Sequence, residues 1–116
     1  MKIRIPRKRI RETFLLTYEL KGCQKATDFL TEYYGIRRMK IVVDGRRVGN
    51  GDDACYYSEH RIAYFKKKGL NKFNVCHEFY HHLANVRGYE ISGKKEEKEA
   101  DSYAKKILKT SSLFRL

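Results

Sequence analysis

The chain is short of most features that would place it outside the small globular class. Proline occurs once, at Pro6, and no stretch rich in Gly, Ser or Pro marks a linker. There is no internal repeat and no low-complexity segment. The three cysteines, Cys23, Cys55 and Cys76, are odd in number and lack a CxxC spacing, which excludes a disulfide framework and a thiolate metal knuckle. They read as reduced, mostly buried thiols. No apolar run reaches the length of a signal or membrane-spanning helix, so a soluble, cytoplasmic protein with no membrane partner is expected.

Acidic residues are also scarce. Fourteen Asp and Glu stand against 26 Lys and Arg, a net charge of +12 that attracts polyanions. Six of the first eleven residues are basic: Lys2, Arg4, Arg7, Lys8, Arg9 and Arg11. No helix-turn-helix, RNP or zinc-finger signature accompanies them, and the other basic residues read as spread along the chain instead of lining one predicted helix face. Solvated surface charge is therefore preferred, and nucleic acid ranks second as a partner.

What is present points to a folded unit. Apolar residues make up 41% and charged residues 34% of 116 positions, enough for one domain (1–116) with a single modest core. That domain carries a basic N-terminal segment (1–11) and a tail (110–116). Phe14, Leu15, Tyr18, Ala26, Phe29, Leu30 and Tyr33 recur at helical spacing, interrupted by Lys21-Gly22, which predicts a broken helix over 13–34. Met39 to Val43 reads as a strand that turns at Asp44-Gly45 into a hairpin with Arg46-Arg47-Val48. Ala54–Tyr57 and Arg61–Phe65 read as a second hairpin, giving a small, mostly antiparallel sheet. Leu70, Phe73, Cys76, Tyr80, Leu83 and Ala84 define an amphipathic helix stopped by Gly88. A last helix begins near Ser92-Gly93, with Ala100, Tyr103, Ala104, Ile107 and Leu108 as its buried stripe. The expected class is α+β, a small sheet packed on helices.

The first of these two helices carries His77-Glu78-Phe79-Tyr80-His81, an HExxH pattern. Four residues turn an α-helix by about 400° and advance it about 6 Å, so His77 and His81 project from one side and can reach a single ion. Glu78 sits about 100° around from His77, off the ligand stripe but within reach of a water on that ion, as a general base requires. A catalytic zinc takes three protein ligands and keeps one position open. The third comes from Glu97-Lys98-Glu99-Ala100-Asp101 on the last helix: Glu97 is the candidate, with Glu96 its nearest rival. Asp101, one turn on, can accept the free ring N–H of a ligating histidine. The bland reading of Glu96, Glu97 and Glu99 is a solvated first turn opposing the helix dipole. His60, Tyr57, Tyr80 and Tyr103 are available as oxyanion donors, and the segment Arg61–Phe65 as a sheet edge for an extended peptide.

HExxH followed by Glu97 and Asp101 resembles the gluzincin metallopeptidases. In brevity the chain is most similar to the minigluzincins, soluble minimal relatives of the HtpX-type membrane peptidases. It is also similar to the ImmA/IrrE-type peptidases through Tyr34-Gly35-Ile36. The resemblance covers roughly residues 25–109. It implies a zinc peptidase hydrolysing peptide bonds of a peptide or protein substrate, with His77, His81 and Glu97 holding Zn2+ and Glu78 as base and acid. It also implies a latent zymogen, held by its C-terminal segment within one chain or exchanged in a homodimer. The alternative is a catalytically silent, zinc-containing regulator that binds nucleic acid or protein through its basic surface.

Overall fold

A computed structural model describes residues 3–89 and 93–109. The tail 110–116, its inhibitory role and its exchange between two copies lie outside the described residues, as does Ser92. The order of elements is α1 (Lys8–Lys21), α2 (Cys23–Tyr34), β1 (Lys40–Val43), β2 (Ala54–Tyr57), β3 (Ile62–Phe65), α3 (Lys72–Val86) and α4 (Gly93–Leu108). The fold is α+β, and among the described residues it has four α-helices with a three-stranded sheet packed against them. Among the described residues no helix is long and apolar enough to cross a membrane.

The expected broken helix is a pair, parted at Gly22, whose φ of +93° takes the backbone out of the α region. It starts earlier than expected, at Lys8, because Arg7 just after buried Pro6 accepts the first hydrogen bonds, from Ile10 and Arg11 N–H. Phe14 and Leu15 of α1 and Ala26 and Leu30 of α2 are buried on the shared face. Helices α2 and α3 stop in the same way. In α2 the N–H groups of Gly35 and Ile36 return to Glu32 and Thr31; in α3 those of Gly88 and Tyr89 return to Asn85 and Ala84. Both glycines sit at positive φ, as this double-bonded ending requires.

The sheet departs from a meander. Its order is β1-β3-β2, with β1 parallel to β3 and β2 antiparallel to it, so it is mixed: one pairing of each kind. The second expected hairpin is present, but the first is not. After β1 the Asp44 side chain accepts the Arg46 N–H and closes a single 3-10 turn over Gly45–Arg47, so the turn's hydrogen bonds are satisfied locally and no returning strand forms. The chain then crosses to the far edge and comes back through β3, whose Ala63 and Phe65 are fully buried. Pairing with both neighbours puts β3 in the centre and overturns the reading of Arg61–Phe65 as a sheet edge; the edges are β1 and β2. Gln24 occupies part of β1's outer side, its amide donating to Met39 O and accepting from Ile41 N–H.

Two devices aim α3. Asn71 caps it by accepting the Asn74 N–H, and Asn74 donates its amide to Gly69 O. Gly69 lies against the backbone of Asp53, where a Cβ would sit 2.4 Å from the carbonyl oxygen, so only glycine lets the turn before α3 approach β2's entry this closely. The buried face of α3 (Val75, Cys76, Phe79, Tyr80, Leu83, Ala84) meets Ala100, Tyr103, Ala104 and Ile107 of α4. Small residues at 100 and 104 allow the close helix contact that burial of this stripe favours, at about 25 cal/mol per Å² removed from water. Of the cysteines, Cys76 is buried while Cys23 and Cys55 are partly exposed, which corrects the expectation that most would be buried.

Candidate metal centre

On α3 the histidines project as the four-residue step requires, toward α4. His77 Nδ1 lies 2.8 Å from Asp101 Oδ1 and His77 Nε2 3.0 Å from Glu97 Oε1. His81 Nε2 is 2.7 Å from Glu97 Oε2 and 3.2 Å from His77 Nε2. Moving one turn forward along α3 moves the partner one turn back along α4, so the two helices run antiparallel and Glu97 meets both rings. One nitrogen of each ring and one Glu97 oxygen all lie within 4.8 Å of one another. His77, His81 and Glu97 thus form a group that could hold a metal ion.

The donor set fits such an ion. Glu96 reaches His81 Nδ1 just as Asp101 reaches His77 Nδ1. In the tautomer where both Nδ1–H groups donate to these carboxylates, two Nε2 lone pairs and the two Glu97 oxygens converge on one point with no proton between them. Four acceptors facing one another repel unless a cation completes them. Two imidazoles plus a carboxylate, each imidazole oriented by an outer carboxylate, is a set suited to a borderline divalent metal.

Glu78 points from the same turn into the gap between α3 and β2. It is buried, at 6% exposure, and its Oε2 is 4.0 Å from His77 Nε2. Burial pushes its carboxyl up to about 7; His77 opposes the rise, and Glu97 and Asp52 add to it. A carboxyl poised there can both accept and return a proton at neutral pH. The cleft in front of it has a volume of about 640 Å³ and is walled by β2 (Ala54, Cys55, Tyr56) and by Asp52, Ser58, His81, Asn85, Tyr89, Glu96 and Glu97. Four carboxylates and no Lys or Arg line it. The Cys55 thiol is raised by burial, then by Glu78 and Asp52, so it stays protonated at neutral pH.

The structure brings His77, His81, Glu97, Glu78 and Asp101 together. It gives Glu96, weighed in the sequence as a rival ligand, a different place, on the outer nitrogen of His81. The sequence signal for this was that an imidazole has two nitrogens, so adjacent carboxylates on one helix can serve both sides of one ring. The four oxyanion candidates are not among the cleft's lining. Tyr57 donates to Arg47 O, Tyr80 to Glu99, and Tyr103 bonds Tyr34 across 2.9 Å. His60 lies exposed in the turn between β2 and β3. Tyr56, Tyr89, Asn85 and Ser58 line the cleft instead, and Tyr56 bonds both His82 Nδ1 and the Asn85 amide. Comparison of the chain with protein-family models, curated proteins and solved structures gave no match.

Proposed function

We propose that the protein is a zinc-dependent peptidase of gluzincin type. The observation that carries the reading is a buried carboxyl, Glu78, beside a point on which His77, His81 and Glu97 converge with their outer nitrogens held by Asp101 and Glu96. His77, His81 and Glu97 would hold the zinc, which would supply Lewis acidity toward a carbonyl and a water. Glu78 takes the proton of the attacking water and delivers it to the leaving amine, so one residue serves as base and then acid. Asp101 and Glu96 fix the ring tautomers, leaving both Nε2 lone pairs for the ion. The Asp53 carbonyl bonds the Lys66 N–H just after β3, so the alternation of an antiparallel ladder turns the backbone of Ala54 and Tyr56 outward along the cleft. An extended substrate adds to that edge, with its scissile bond over the convergent donors.

The test combines metal analysis with cleavage of a mixed peptide library. Wild type is expected to hold about one zinc per chain and to cleave. Glu78→Gln should keep the zinc and lose cleavage by at least about 100-fold, the share general base catalysis usually supplies. Glu97→Ala should lose the zinc. Cleavage by Glu78→Gln at the wild-type rate, or no cleavage by a zinc-loaded wild type, overturns the reading.

A further inference from the structure

The outer face of α4 carries a second surface, independent of the cleft. Lys94, Lys95, Lys98, Lys105, Lys106 and Lys109 are all exposed, and the helical bonding continues past Leu108 through Lys109 N–H to Lys105 O. At 100° per residue these six lysines and Ser102 fill a sector about 120° wide. No acidic or apolar residue falls inside it. The sector lies opposite the buried stripe of Ala100, Tyr103, Ala104 and Ile107. Over 94–109 it runs about 22 Å along the axis. This corrects the expectation that the basic residues are spread along the chain: six lysines are gathered on one helix face.

The lysines also lack the usual counter-ions. All four acidic residues of α4 are engaged by side chains of α3: Glu96 by His81, Glu97 by both His77 and His81, Glu99 by Tyr80, and Asp101 by His77. Among the described residues none of the six lysines forms an ion pair, so their charges sum into one unbroken positive stripe.

We infer that this face of α4 binds the phosphate backbone of double-stranded nucleic acid without reading its sequence. The composition selects this partner over three others. Protein interfaces are depleted in lysine and anchored by aromatics or arginine, both missing from the sector. Membrane-surface helices add apolar residues beside the cations, and here the apolar side of α4 is buried against α3. Single strands are held by stacking on aromatic side chains, which the sector lacks. Lysine is a point charge suited to phosphate; no Arg, Asn or Gln stands in the sector to read a base edge.

Fluorescence anisotropy of the full chain with two labelled 20-base-pair duplexes of unrelated sequence, titrated across salt concentrations, tests this. Wild type should bind both alike, with affinity falling about 1000-fold between 50 and 200 mM salt for about six phosphate contacts. The quartet K94Q/K98Q/K105Q/K109Q should make the slope of log affinity against log salt shallower by about 3 to 4. A control quartet of exposed lysines elsewhere, K21Q/K25Q/K40Q/K67Q, should leave that slope within about one unit of wild type. Equal losses in the two quartets overturn the proposal, since net charge alone would then explain binding. So does failure of wild type to bind duplex at 50 mM salt, or binding confined to phosphatidylserine vesicles. Thermal melting verifies that the quartets fold; the smaller change K98E/K105E gives the same reading if the α4 quartet does not.

Discussion

His77 and His81 on one side of α3, and His82 on the other, are the same residue type within one and a half turns, and they do opposite things. His77 and His81 face carboxylates on both ring nitrogens, at the wall of an open cleft. His82 is fully buried, and its partners are neutral: Nε2 donates to Arg37 O at 2.6 Å and Nδ1 accepts from the Tyr56 hydroxyl at 2.8 Å. The first pair is arranged to share a cation; the third holds α3 to β2 and to the segment before β1. The charge of the partner, more than the histidine or its neighbours in sequence, decides which role each ring takes.

The largest effect that would sharpen this contrast is on folding. His82→Ala removes two hydrogen bonds and leaves a void, depriving Arg37 C=O of its donor and the Tyr56 hydroxyl of its acceptor, and should cost about 2–4 kcal/mol in urea unfolding of the chelated protein while leaving metal stoichiometry at the wild-type value. Loss of metal with unchanged stability would break the contrast. Next, Asp101→Asn and Glu96→Gln should each weaken metal affinity about 10- to 100-fold, or about 1.4–2.7 kcal/mol, in a competition titration against a chelator. An unchanged affinity for Glu96→Gln would mean that His81 needs no outer carboxylate. Asn71→Ala touches neither side of the helix and should cost about 1 kcal/mol of stability with metal affinity intact, which separates loss of helix from loss of site. The smallest effect is on pH dependence. Burial holds His82 below its ordinary 6.5, so the unfolded chain takes up the proton first. The stability His82 contributes is complete above pH 6.5 and declines as pH falls from there toward its folded value. The wild-type stability advantage over His82→Gln, followed from pH 8 to pH 5, should shrink; a constant difference would show that His82 takes up its proton equally in the folded and unfolded chains.

Much of this could be read from residues alone. The HExxH helix, the Glu97–Asp101 helix, the break at Gly22 and the β2–β3 hairpin follow from periods of 3.6 and 2 and from turn residues, all local signals. What could not be read is non-local. The parallel pairing of β1 with β3 depends on which strand is paired on both edges, and Asp44-Gly45 gives the same signal for a hairpin as for the single turn it makes. Tyr57, Tyr80 and Tyr103 were eligible as donors until Arg47, Glu99 and Tyr34 took their hydroxyls. The place of Glu96 is not legible because helix phase separates it from Glu97 without saying which ring nitrogen each meets. The lysine sector was legible in principle; plotting 94–109 at 100° per residue reveals it.

The side chain of Gln24, the single glutamine in the chain, takes up a strand's hydrogen-bonding groups without being a strand. By meeting Met39 O and Ile41 N–H it closes the start of β1 to any incoming chain, while β2 stays open. Strand addition to this sheet is therefore one-sided. A second copy docked on β2 would present at β1 an edge whose first outward groups are already bonded, which disfavours continued strand addition. Gln24 thus leaves β2 as the edge whose outward backbone groups a peptide can meet from the strand's start.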